Sequence, residues 1–305
     1  MKPLFLGEAY TTDGILQMLQ EQGLVIEDRQ RAERILANVS YTRLKNYLTA
    51  LMADRKSHRF RPGATFENAY ALYGFDRRLR ELIFHEMEKI EISIRTRVAF
   101  ASNGSEKGYW FLNPDHFKSE RGHERILKHL KYELERTDNE GILNFREKYS
   151  NEFPPSWLLL EATSMGTLAA IYDELGDQQM RENIASYYGM SPRTFSSWVH
   201  HLVSVRNNCA HHNRVWNSTP NVKPLLPEGL TRPFPNLREQ DRYHIYMTFC
   251  ILKYFQDAVK PENTFAQRLK GLIGNFKMVK ATDMGFPKDW KEHKYWNTQP
   301  EMGKK

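Results

Sequence analysis

The chain has 305 residues, with 44 Lys plus Arg against 37 Asp plus Glu, for a formal charge of +7. Its 40% apolar and 12% aromatic residues exclude a disordered chain, and its length suits one large domain or two small ones. Two cysteines, Cys209 and Cys250, exclude a disulfide scaffold or a zinc framework, and the basic balance favours an anionic partner, nucleic acid first.

The run from Met1 to Gly7 is too short and too mixed for a signal peptide, and no segment approaches the ~18 apolar residues of a membrane span. The expectation is a soluble, cytoplasmic protein that does not enter a membrane. Short helices are expected over residues 11–22, 27–37 and 41–53, with a break near Asn38 and Ser40 as the cap of the third. The second and third resemble a helix-turn-helix, and the latter carries Arg43 and Lys45 beside Tyr41 and Tyr47. Basic side chains interleaved with aromatics suit RNA backbone contact and base stacking, and a helical wing packed on the core is the other reading of residues 1–60.

Pro62-Gly63 breaks the chain, Thr65 caps, and a long helix is expected over 66–102, ended by Asn103-Gly104-Ser105. Leu72, Phe75, Leu79, Leu82, Ile83, Met87, Ile90 and Ile94 form its apolar face. Glu91 and Arg95 are four apart in the favourable order for an ion pair, so Arg95 reads either as a surface salt bridge or as a second cation near an active centre. A charged segment over 117–135 is expected to carry His123 and His129 on the surface. After Pro154-Pro155 a helix capped by Ser156 is expected to run through Ile171 toward Gly176, and another over 177–188, ending at Gly189.

Ser191-Pro192 then reads as an N-cap with proline at the first helical position. In the helix beginning there, Phe195, Trp198, Val199, Leu202 and Val205 recur at three- and four-residue steps and are expected to face the core. Residues 217–240 hold five prolines and read as a long loop. Residues 241–258 return as an apolar helix, and Pro261 opens a helical tail. No strand-like alternation of useful length is present, so the expected fold class is all-α, with a wing over 1–60, a core over 61–260 and a tail over 261–305.

The chemistry concentrates in Arg206-Asn207-Asn208-Cys209-Ala210-His211-His212-Asn213-Arg214-Val215-Trp216-Asn217. Cutting a phosphodiester with the adjacent ribose 2′-OH needs a proton-moving group and a fixed cation at phosphorus. Histidine supplies the first near neutral pH and a guanidinium the second. Arg206 and His211, five apart, lie about 140° apart around a helix axis and about 7.5 Å along it. Asn207 and His211, four apart, share one stripe. His212 and Arg214 are accessory candidates, and Trp216 reads as packing. His200-His201 and His211-His212 with Cys209 invite a metal reading, but adjacent helical histidines diverge by about 100°, and no H-E-x-x-H, His-Asp pair or D-x-D cluster accompanies them in the sequence. No Walker or dinucleotide glycine loop is present either.

This segment, with four residues between Arg206 and His211, resembles the R-x(4–6)-H signature of HEPN-superfamily ribonucleases, with the polar residue after the arginine that the superfamily favours, here Asn207. The fuller string, with its Ala-His-His and Trp-Asn, is similar to the Abi-like (AbiD/AbiF) abortive-infection family. Further blocks agree: Tyr70-Ala71-Leu72-Tyr73-Gly74-Phe75-Asp76-Arg77-Arg78-Leu79-Arg80, Glu88 to Arg97, Pro155-Ser156-Trp157 with Glu161 and Gly166, and Met284-Gly285-Phe286-Pro287 with Trp290 and Trp296. The resemblance implies a HEPN-like helical bundle and a metal-independent endoribonuclease toxin of phage defence that needs no cofactor. Arg206, Asn207 and His211 would be catalytic, and Arg95 accessory. It also implies a homodimer with a composite site and a small noncoding RNA as antitoxin or guide. Two other readings stay open: a non-catalytic RNA-binding or dimerisation module, and a DNA-binding regulator using residues 27–53.

Overall fold

The computed structural model describes residues 11–102 and 106–297. The expectations for Met1–Gly7 and for Asn103-Gly104-Ser105 fall outside the described residues. Thirteen α-helices and one two-stranded hairpin make up the regular α and β structure of the described residues, so the protein is all-α. No helix among them is long and apolar enough to cross a membrane. The chain forms two compact units, one running to Leu79 and including Leu272–Lys280, the other comprising Arg80–Gly271 and the chain from Ala281 on.

In the first unit, α1 (Thr12–Glu21), α2 (Arg29–Val39) and α3 (Tyr41–Ala50) start at side-chain caps from Thr11, Asp28 and Ser40, which satisfy backbone N–H groups left free at a helix start. The break lies at Ser40, which takes φ +62. Helix α3 stops at Ala50 rather than at residue 53 because the Arg61 guanidinium takes the carbonyls of Ala50 (2.8 Å) and Met52 (3.2 Å). The chain then turns into a small hairpin, β1 (Met52–Asp54) against β2 (Arg59–Phe60), which the absence of alternation in the sequence did not announce. Buried Leu16, Leu19, Leu36, Leu44, Leu48 and Phe75 fill this unit's core, and Phe276 meets Phe75 edge-on at 5.2 Å.

Helix α4 (Phe66–Ala99) starts at Thr65, whose Oγ1 accepts from the Asn68 N–H at 3.0 Å, and it carries the expected buried stripe. In the second unit follow α5 (Glu120–Glu135), α6 (Glu140–Lys148), α7 (Ser156–Leu159), α8 (Met165–Glu174), α9 (Gln178–Tyr187), α10 (Pro192–Ala210), α11 (Ile245–Val259), the part of α12 (Phe265–Asn275) up to Gly271, and the short α13 (Lys294–Asn297). Two expectations are corrected by this arrangement. His123 is buried, because it falls on the apolar stripe of α5 three residues before Ile126, and it bonds the Phe111 carbonyl at 2.9 Å. The expected helix from Ser156 toward Gly176 is broken at Thr163. Pro155 takes the cap position, the Ser156 hydroxyl donates to the Ala99 carbonyl at 2.7 Å, and Ser164 caps α8 afresh.

The proline-rich stretch 217–240 is strapped to the second unit. Trp198 Nε1 donates to the Leu225 carbonyl at 3.0 Å, and the Arg232 guanidinium reaches the carbonyls of Tyr188 and Tyr254, each at 3.0 Å. Gly189 takes φ +63 where Thr231 crosses, and a Cβ there would collide with the threonine side chain.

The hydroxyl of buried Tyr47 donates to buried Asp76 at 2.5 Å. Tyr47→Phe removes one donor from a buried carboxylate and is expected to cost about 1 kcal/mol, read as a lower urea midpoint at unchanged m-value.

Candidate functional site

Helix α10 begins as the sequence implies: the Ser191 hydroxyl accepts from the Thr194 N–H at 3.2 Å, with Pro192 in the first turn. Phe195, Trp198, Val199, Leu202, Val205 and Cys209 are all buried, which fixes how the helix is rotated about its axis. Its other end closes with two reversed hydrogen bonds, His212 N–H to the Cys209 carbonyl at 2.9 Å and Asn213 N–H to the Asn208 carbonyl at 2.9 Å. That pair defines a Schellman motif, whose left-handed residue is usually glycine. Here it is His212, at φ +56, a conformation that a β-carbon disfavours by about 1 kcal/mol.

The closure sets out the motif residues. Arg206 is half-buried and its Nη1 donates to the Asn207 Oδ1 at 3.4 Å. Asn207 and His211 are exposed, and the His211 N–H still reaches the Asn207 carbonyl at 3.0 Å, so the shared stripe survives although the helix ends at Ala210. His212 is exposed at the turn, Arg214 is half-buried, and Trp216 is buried as packing. Sequence reasoning missed Arg80 as a support: buried on α4, it donates from Nη1 to the Asn213 carbonyl at 3.3 Å. Its signal was an arginine only three residues before the core residue Ile83.

Other candidates stand elsewhere. Arg95 is bound to Glu91 at 2.9 Å and to the carbonyls of Leu160 (2.9 Å) and Thr163 (3.0 Å). It holds the broken turn before α8, and the ion pair with Glu91 is half-buried rather than on the surface. Tyr47 is corrected as a stacking residue, since its ring is buried and its hydroxyl is committed to Asp76. In the first unit Arg43 and Lys45 are exposed and Tyr41 is half-buried.

The second unit does hold a His-Asp pair, contrary to the sequence expectation, because its carboxylate comes from α8. His200 Nε2 meets Asp173 Oδ2 at 2.5 Å, and the Ser196 hydroxyl donates to Asp173 Oδ1 at 2.6 Å. The hydrogen bond to Asp173 raises the His200 pKa against the opposing effect of burial. For Asp173, burial pushes upward, but the bonds from His200 and Ser196 prevail and hold the carboxyl low. His200 lies about 10.5 Å along the axis before Asn207, too far to serve the same phosphodiester.

Next to it, His201 is fully buried between the Val222 carbonyl (2.6 Å from Nδ1) and the Thr248 hydroxyl (2.8 Å from Nε2). A carbonyl only accepts, so Nδ1 carries the proton and Thr248 donates to Nε2. Burial lowers the His201 pKa to about 4. This neutral ring ties the stretch after the motif to α10 and α11. Among the described residues, no three or more His, Cys, Asp or Glu side chains are grouped to hold a metal ion.

The family model for Abi-like proteins matches residues 34–217, from α2 through the motif. The chain belongs to the Abi-like protein family. That membership implies a part in abortive infection, a form of phage defence. Neither a curated protein nor a solved structure matches this family member.

Because the folded-state pKa of His201 is depressed, its contribution to stability is present above the unfolded value near 6.5 and is lost as pH falls toward about 4. The loss is expected to reach roughly 3 kcal/mol, read from urea unfolding between pH 7 and pH 4, with a flatter profile in His201→Gln. At the turn, His212→Gly is expected to raise stability by up to about 1 kcal/mol, measured by thermal unfolding. A loss instead would show that the His212 side chain contributes more than its strain costs.

Proposed function

We propose that this Abi-like protein is a HEPN-type, metal-independent endoribonuclease that acts as a toxin in phage defence. The observation that carries the reading is the end of α10, where a buried face holds the helix while Arg206, Asn207 and His211 are presented together at its closing turn. The helix ends on an exposed imidazole with a guanidinium and an amide one turn behind.

On this reading His211 exchanges the proton of the attacking 2′-OH or of the leaving 5′-oxygen. Arg206 offsets the charge that gathers on the phosphorane, and Asn207 orients the phosphate or the ring. The 2′-oxygen bonds phosphorus, the bond to the 5′-oxygen breaks, and the products are a 2′,3′-cyclic phosphate and a 5′-hydroxyl. Acid–base cleavage of this kind uses two proton-moving groups, and one motif supplies one such histidine beside its arginine. A homodimer that brings two motifs together would supply the second. A small noncoding RNA serving as antitoxin or guide agrees with the +7 charge and with the need to restrain such an activity.

Purified wild type and His211→Ala are to be incubated with total RNA in excess EDTA, with the 3′ ends analysed and the dimer followed by light scattering. The expected result is cleavage by wild type alone, leaving cyclic phosphate ends, with both proteins dimeric and equal in RNA affinity. Cleavage that survives His211→Ala, or that requires a divalent ion, rejects the mechanism. RNA binding without cleavage by either protein favours the non-catalytic binding module.

A further inference from the structure

The first unit contains a cavity of about 360 Å³, within the range of small-molecule sites. Three elements build it. The end of α1 gives Met18 and Gln22, one face of α3 gives Tyr41, Lys45 and Thr49, and the hairpin gives Met52, Arg55 and His58. Tyr41 and Lys45 are four apart on α3 and so lie on one stripe, while Leu44 and Tyr47 point into the core.

Charge selects the occupant. Lys45, Arg55 and His58 line the cavity and are exposed, and among the described residues no carboxylate lines it, so a cation is repelled and an anion attracted. The hairpin is shaped to present two of these groups. Asp54 accepts from the backbone N–H groups of Lys56 (2.9 Å) and Ser57 (3.2 Å) and from the Ser57 hydroxyl (2.8 Å), which closes the turn between Arg55 and His58. His58 itself sits at φ +55, a strained conformation that orients its side chain. The Tyr41 ring and the thioethers of Met18 and Met52 line the same cavity, flat or deformable apolar surfaces suited to an aromatic base. Gln22 and Thr49 add an amide and a hydroxyl for its polar edge.

We propose that this cavity binds a nucleoside monophosphate group, with the base against Tyr41, Met18 and Met52 and the phosphate against Lys45, Arg55 and His58. Two sources carry this chemistry, a free nucleotide and the terminal nucleotide of an RNA. The site goes beyond the reading of Arg206 and His211 and does not depend on it.

The test is calorimetric titration of the full chain, in the His211→Ala background so that oligonucleotides stay intact, with AMP, GMP, CMP and UMP, and with adenosine and inorganic phosphate as controls. At least one nucleotide is expected to bind about tenfold or more tighter than either control. Lys45→Gln and Arg55→Gln, both at exposed positions, are each expected to weaken it about tenfold while the urea midpoint stays unchanged. A tetranucleotide RNA with a terminal phosphate that displaces the mononucleotide, while its dephosphorylated form does not, identifies an RNA end. Failure of both to displace it identifies a free nucleotide. No binding by about 1 mM nucleotide, or binding indifferent to both substitutions, overturns the proposal and leaves the ribonuclease reading as it stood.

Discussion

Burial of one face of α10 is the constraint on which the candidate site depends. Phe195, Trp198, Val199, Leu202, Val205 and Cys209 are withdrawn from water, and each large side chain so buried contributes roughly 1.5–3 kcal/mol. Turning the helix to expose them would cost far more than any surface contact of Arg206 or Asn207 returns. The polar residues therefore face outward because their apolar neighbours cannot.

The same helix also organises the chain beyond its C-terminus. Trp198 and His201 reach from its buried side to the carbonyls of Leu225 and Val222, so the stretch after the motif is held by hydrogen bonds from within the core. At the helix end the Schellman closure places a histidine where glycine is the relaxed choice. Arg80 adds a cation from α4 at Asn213, so the turn is held from both sides.

In the first unit, Arg61 ends α3 at Ala50 and frees the chain for the hairpin, and the hairpin brings Arg55 and His58 to the cavity that Tyr41 and Lys45 already face. The spacing of Tyr41 and Lys45 on one stripe of α3 was legible in the sequence. The contribution of Arg55 and His58 was not, because no helical or strand period links residue 58 to residue 45. Tyr47 shows the opposite error. It shares the composition of the stripe, yet it lies two residues from Lys45 and so points about 200° away, to Asp76.

The sequence by itself determined the all-α class, the caps at Ser40, Thr65 and Ser191, the buried face of α10 and the position of the R-x4-H motif at its end, because capping and 3.6-residue periodicity are local properties that residues carry with them. Only the tertiary structure decided which polar groups have partners. Asp173 reaches His200 across 27 residues, burial lowers the His201 pKa against the opposing bond to the Val222 carbonyl, and Arg95 donates to the carbonyls of Leu160 and Thr163. Those outcomes depend on contacts between distant segments and on the water they exclude, and neither is written in the spacing of residues along the chain.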